Sequence, residues 1–251
     1  MSRGLRMAIF LAGGAGLAVL VVLAVTDLPS FGNTFHPYRD HAVAAAVEHR
    51  SANVVSSINF DQRGLDTLGE ESILLASVLG AAVLLRPAAD ETEVRRLSRG
   101  RVLESTRLLG YLMMPIALII GLDVISHGHL TPGGGFQGGV IVGSAVHLLY
   151  VAGSYPALQR ARPVRAFEWG EAIGAGAFAS LGVAALFVGG AFLADFIPNG
   201  SFGNLFSAGT VPLLNGAVGV EVASGTAVLL AKFLDQVILV QRRPQPDAPE
   251  R

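Results

Sequence analysis

Six stretches of this chain are apolar over nearly the length needed to cross a bilayer, and no other feature constrains its fold as strongly. They run Met7–Val25, Gly69–Leu85, Leu108–Ile125, Gly134–Ala152, Ala172–Phe192 and Leu213–Ala231. A helix rises about 1.5 Å per residue and the hydrocarbon core is about 30 Å thick, so roughly 20 such residues span it. With 51% hydrophobic and only 15% charged residues over 251 positions, the chain is too apolar for a water-soluble domain of this size. The expected fold is therefore all-α: a polytopic membrane protein with about six transmembrane helices.

The positive charges orient it. Of the 18 Lys and Arg residues, only Arg39, Arg50 and Arg63 fall on one side when the loops alternate; all the others fall on the opposite side. Cytoplasmic loops carry this excess, so both termini are expected in the cytoplasm. The first stretch follows Arg3 and Arg6 as a secretory signal would, but its apolar run exceeds the roughly 7 to 15 residues of such a signal, which favours an anchor. A charged segment between the second and third spans (Asp90, Glu91, Glu93, Arg95, Arg96, Arg99, Arg101, Glu104) reads as a solvated connector. The expected organisation is a two-helix unit over residues 1–86, a cytoplasmic linker over 87–107, a four-helix domain over 108–241 and a cytoplasmic tail over 242–251.

Several functions are disfavoured at once. The chain has no cysteine, hence no disulfide, thiolate metal site or cysteine nucleophile. Its 18 basic and 19 acidic residues nearly cancel, giving no electrostatic reason to expect nucleic acid. No nucleophile, acid pair or cofactor loop stands in a supporting context, so no enzyme activity and no cofactor are expected.

Two strings stand out. Gly128-His129-Leu130-Thr131-Pro132-Gly133-Gly134-Gly135-Phe136-Gln137-Gly138-Gly139 opens the fourth span. Its glycines, with Gly143, recur at helical spacing and leave a face nearly bare of side chains, against which another helix can pack closely. Pro132 suits the start of that helix. A phosphate loop is the rival, but no Gly-Lys-Ser/Thr follows. The second string, Asn53 to Glu70, leads into the second span; Thr67 with Glu70 three residues later matches a capping box. Asp66, Glu70 and Glu71 crowd the same membrane entrance and could attract a cation.

Within the spans each ionisable group needs a partner or a purpose, since burying one costs about 2.5 to 3.5 kcal/mol on insertion scales. Glu221 lies roughly 12 Å into the sixth span and His147 roughly 20 Å into the fourth. That difference in depth argues against a direct pair, so Glu221 is expected to face a neighbouring subunit or water. His147 reads first as a packed core histidine, although its ordinary pKa suits proton relay. Asp123 precedes His127 by one helical turn, where a hydrogen bond is expected. Asp123, His127 and His129 lack further ligands at telling spacing, so no metal site is expected. Lys232 and Asp235 read as snorkelling residues at the cytoplasmic edge. The ion-translocation candidates are thus Asp66, Glu70, Glu71, Asp123, His147 and Glu221.

From Leu108 to Val240, and above all in the glycine string, the sequence resembles the MnhB/MrpB subunit of Mrp-type cation/proton antiporters. The stretch before it, with Asn53-Val54-Val55 and Arg63-Gly64-Leu65-Asp66-Thr67-Leu68-Gly69-Glu70, resembles the C-terminal two-helix part of the large MrpA protein, also found as a separate MbhE-like subunit of membrane-bound hydrogenases. It departs from that pattern at Phe60-Asp61-Gln62-Arg63, where Val-Asp-Phe-Arg is expected. The resemblance implies a non-catalytic subunit of a cell-membrane complex that exchanges Na+ for H+. The partners it implies are large MrpA- and MrpD-like subunits, which carry the main proton channels, and small MrpC-, MrpE-, MrpF- and MrpG-like ones. A membrane subunit of an ion-pumping hydrogenase or related oxidoreductase is the alternative.

Overall fold

The computed structural model describes residues 3–28, 32, 34–86, 102–152, 158, 160 and 163–239. All the regular structure among them is helical, and each of the six apolar stretches centres on a helix. The helices are α1 (Arg3–Thr26), α2 (Pro37–Glu48), α3 (Val54–Ser57), α4 (Gly64–Leu84), α5 (Glu104–Ser126), α6 (Gly135–Val151), α7 (Val164–Val188) and α8 (Val211–Leu239). Five of them are long and apolar enough to cross a membrane: α1, α4, α5, α7 and the Val211–Leu234 part of α8. The sixth, α6, has 17 residues, which at about 1.5 Å each is the short limit for a span. Most of the connector over 87–107 and the tail over 242–251 lie outside the described residues; Glu104 already belongs to α5.

Residues 1–40 form one compact unit and residues 41–251 another. In the first, α1 is a 24-residue apolar helix with no buried residue. The second is built around α8. Of its apolar stretch 61% is buried, against 17%, 11% and 28% for α4, α5 and α7, which makes α8 the central helix. α6 and α7 pack along it, α5 packs on α6, and α4 closes against α8 and α7.

Glycine sets how close these helices come. A Cβ on Gly139 would lie 2.8 Å from Val222 Cβ, and one on Gly143 would lie 2.9 Å from the Ala223 carbonyl, both on α8. A Cβ on Gly138 would lie 2.6 Å from the Gly121 carbonyl on α5. The glycine string therefore serves two faces, and both receive helices of the same chain, α8 on one and α5 on the other. Pro132 does not start α6, which begins three residues later at Gly135. Gly133 and Gly134 intervene at φ +125° and +145°, a left-handed backbone that residues with a Cβ rarely adopt.

The second string also folds differently from its capping pattern. A π-helical turn, Ile58–Gln62, carries the chain from α3 almost directly into α4, so the helix starts at Gly64 and Thr67 lies inside it. The Thr67 hydroxyl donates to the Asn59 carbonyl at 2.6 Å, tying α4 to the π turn instead of capping it. The side-chain cap here is Asn53, whose Oδ1 accepts from the Val55 and Ser56 amides at 3.1 and 3.3 Å.

Candidate functional site

Two asparagines join the two strings. Asn53 Nδ2 donates to the carbonyls of Gly128 and Thr131 at 2.7 and 2.8 Å, and its amide donates to the His129 carbonyl at 2.9 Å. Asn215 of α8 is fully buried. Its Oδ1 accepts from the Gly135 amide at 2.9 Å and its Nδ2 donates to the Ser56 hydroxyl and the Val211 carbonyl, both at 3.1 Å. Gly128 and Gly134 leave space for this amide: a Cβ on either would lie 2.6 Å from Asn215 Oδ1. The start of α6, an end with unsatisfied amides, is thus sealed by a side chain from the central helix.

Below this seal, where α4, α7 and α8 meet, three glutamates are buried. Glu71, Glu171 and Glu221 are 1%, 3% and 0% exposed. Glu221 faces α7 at Gly174, where a Cβ would lie 2.7 Å from its own Cβ. The carboxyl groups of Glu71 and Glu221 are close enough to interact directly. No donor among the described residues reaches any of their four oxygens at hydrogen-bonding geometry. Two carboxyls in that relation attract only when a proton or a cation sits between them; as bare anions they repel in a medium that screens poorly.

Between the pair and the start of α8, on the Asn215 side, Leu214, Ala217 and Val218 form an apolar layer with Phe60 and Phe178. The Phe60 and Phe178 rings stand 6.3 Å apart. Beyond it, in the loop before α8, Asp195 accepts from the Thr210 amide at 2.9 Å through Oδ1, while Oδ2 is buried without a hydrogen-bond partner among the described residues. Burial pushes this carboxyl up from its ordinary value, opposed by the Thr210 amide, and the Asp61 charge adds to the rise. Asp61 in turn pairs with His49 at 2.6 Å. His129 is fully buried; its Nε2 lies 3.4 Å from the Asn204 carbonyl. Burial pushes its imidazole down.

The expected acidic entrance is divided. Asp66 is exposed and pairs with Arg63, and Glu70 is exposed, whereas Glu71 points into the bundle. Glu221 does not face a neighbouring subunit or water but a carboxyl of its own chain. Asp123 makes the expected one-turn contact, 3.0 Å from His127 Nδ1, at an exposed edge away from the trio. His147 is half-buried with Nδ1 2.7 Å from the Gly143 carbonyl. Lys232 reaches Glu168 at 3.3 Å, so it is paired rather than only snorkelling; the Asp235 side chain lies outside the described residues.

Glu171 does not stand out in the sequence, and only the fold brings it to the other two glutamates. Among the described residues no three His, Cys, Asp or Glu side chains converge tightly enough to hold a metal ion.

Comparison with known proteins agrees with this architecture. Residues 102–228 match the family described as a domain related to the MnhB subunit of Na+/H+ antiporters. An uncharacterized protein of Methanocaldococcus jannaschii is 29% identical over 211 residues, covering 76% of this chain and 80% of its own length. A probable K+/H+ antiporter A/B component of Rhizobium meliloti is 25% identical over 84% of this chain, which spans only 22% of that protein. Two solved structures share the fold. A chain of the membrane-bound sulfane sulfur reductase, an archaeal respiratory membrane complex, superposes with a TM-score of 0.70 at 24% identity, over 94% of this chain and 100% of its own. A chain of the Mrp complex from Dietzia sp. DQ12-45-1b gives 0.67 at 22% identity, over 98% of this chain and 27% of its own.

Proposed function

Since the chain belongs to the family of domains related to the MnhB subunit of Na+/H+ antiporters, we propose that it serves as a non-catalytic, multi-pass subunit of a multisubunit cation/proton antiporter in the cell membrane, and that its buried glutamates lie on the ion route. The observation that carries the second part is the Glu71–Glu221 pair: two carboxyls from two apolar helices, both buried, facing each other without another hydrogen-bond donor among the described residues. Such a pair costs several kcal/mol in hydrocarbon unless a positive species occupies it. A site that gains and loses a proton or an alkali cation is what an exchanger requires. Glu70, exposed one position before Glu71, extends the acidic track toward the surface of α4, where a companion would sit. Asp66, Asp123 and His147 are secondary, since each has a local partner that accounts for it.

Residues 1–86 are read as the counterpart of the C-terminal part of the large MrpA-like protein, joined through 87–107 to the MnhB-like domain over 108–241. The Rhizobium relative, an A/B component by name, supports this reading, as does the Asn53 docking that locks the two strings together. The companions are then the MrpA- and MrpD-like large subunits and the MrpC-, MrpE-, MrpF- and MrpG-like small ones.

The test is antiport in membrane vesicles holding the whole assembly. Glu221→Gln and Glu71→Gln are each expected to reduce cation-driven proton flux with assembly intact; normal flux in both removes the pair from the route. A second reading, a membrane subunit of an ion-pumping redox complex, is favoured by the match to an entire chain of the archaeal respiratory complex. Iron–sulfur or nickel–iron subunits copurifying with the chain would select it.

A further inference from the structure

Glu171 lies between the Glu71–Glu221 pair and one end of the bundle. It is 3% exposed and its Oε1 has no hydrogen-bond partner among the described residues. Glu221 on one side and Glu168 on the other lie near enough for their charges to act on it. Glu168, one turn earlier on α7, accepts Lys232 of α8 at 3.3 Å, and this ion pair lies at the surface of the chain, with side chains 47% and 29% exposed. Glu71, Glu221, Glu171 and Glu168 therefore follow one another along the helix contact, with Glu71 and Glu221 interacting directly and Glu171 opposite Gly225, about one helical turn along α8 from Glu221. Along α8 the succession from Glu221 to Lys232 covers 11 residues, about 16 Å, or roughly half the hydrocarbon thickness.

The helices are built to leave these side chains room. Glu221 faces Gly174 of α7, and Glu171 faces Gly225 of α8, where a Cβ would lie 3.2 Å from Glu171 Oε1 and 3.3 Å from Val78 Cγ2. Glu221 and Glu171 thus each have a glycine opposite on the facing helix. A packed leucine at position 171 would serve the fold better than a carboxyl with an unpaired oxygen, so the group has a cost that packing does not explain. The acids form a succession rather than a cage, since no three converge on one point among the described residues. A proton, which passes from one oxygen to the next and needs no multidentate shell, suits that arrangement better than a dehydrated metal cation.

We propose that Glu171 is a proton relay joining the Glu71–Glu221 pair to water at the Lys232–Glu168 mouth. This rests on the reading that the pair serves the ion route. In the forward step protonated Glu171 gives its proton through a bridging water to the Glu221 carboxylate, so that Glu221 becomes the acid and Glu171 the carboxylate. Glu171 then regains a proton from hydronium arriving past Glu168. No electron moves, and one positive charge advances along the succession per step.

The decisive experiment uses the complete complex in proteoliposomes, wild type or carrying Glu171→Gln, Glu171→Asp or Glu221→Gln. Cation-driven proton flux is recorded across pH, together with infrared difference spectra of the carboxyl C=O band between acid and alkaline buffer. Glu171→Gln is expected to slow flux about tenfold or more, as loss of a proton-transferring group does, and to remove one carboxyl band that titrates in the wild type. Glu171→Asp should fall between the two. Wild-type flux in Glu171→Gln with loss in Glu221→Gln overturns the relay and leaves the reading of the pair standing. Wild-type flux in both defeats that reading and the relay with it. Should Glu171→Gln fail to assemble, Glu171→Asp decides: a carboxyl drawn back by one methylene slows flux if it relays, and wild-type flux overturns the proposal.

Discussion

Replacing Gly138 by alanine tests whether the glycine string acts by close approach within the chain. The added methyl would lie 2.5 Å from Ile125 Cγ1 and 2.6 Å from the Gly121 carbonyl. Ordinary contact begins at 3.4 Å, so α5 and α6 must part by roughly 0.8 Å at this point. The Gly121 carbonyl is backbone and cannot rotate away, so overpacking should cost about 1 to 3 kcal/mol, offset by up to about 1 kcal/mol from alanine's better helix propensity. Gly176→Ala is the control: it lies on α7 with nothing within 4 Å of its Cβ position, and only the propensity gain applies. Melting of the detergent-solubilised protein, followed by light scattering or circular dichroism, should show Gly138→Ala lower than Gly176→Ala by several degrees, on the order of 2 to 4 °C per kcal/mol. Equal melting temperatures would refute the claim that α5 and α6 are held at glycine distance.

Asn53→Ala removes two side-chain hydrogen bonds to the Gly128 and Thr131 carbonyls and the cap of α3, at a cost of about 2 to 4 kcal/mol. Amide hydrogen exchange should speed up across residues 49–63 and 128–134; unchanged protection would mean the strings are held by something else. His129 makes the loop over 199–207 pH-sensitive. Burial holds its folded pKa below 6.5, so the opened loop binds the proton more readily and acid favours opening. The docked state is at full strength above about pH 6.5 and weakens as pH falls through the lower folded value. Exchange at Asn204 and Leu205 should rise on acidification, and His129→Gln should abolish that pH dependence. The fused arrangement predicts a large partner protein without its own copy of residues 1–86, which mass spectrometry of the purified complex can read; a partner that retains the copy contradicts the equivalence.

Apolar length made the spans legible, because lipid imposes a composition that no soluble helix of this size needs. Their starts were less legible, and the candidate site suffered for it. Hydropathy begins the fifth span at Ala172, which leaves Glu168 and Glu171 outside the membrane, whereas α7 starts at Val164 and carries Glu171 two turns inside. The second span has the same error: α4 begins at Gly64, so Glu71 is the eighth residue of the helix and not an entrance charge. Acidic residues lower the very average that marks a span, so a buried carboxyl near a helix end hides itself. A signal was present nonetheless in Gly170 and Gly174, which flank Glu171 at the spacing of a helix face kept clear for a neighbour. The glycine string announced close packing, but periodicity carries no address, and only the fold places α5 and α8 of the same chain against it. The capping box failed because local pattern matching sees four residues, while the π turn before Gly64 shifts the helix start by several.

On the proposed function this chain exchanges ions only as a part of a larger machine. Proton flux driven by a sodium or potassium gradient, measured with a pH-sensitive dye in proteoliposomes holding either the purified complete complex or this chain alone, tests it most directly. The complete complex should exchange and the lone chain should not; robust exchange by the lone chain would contradict the account.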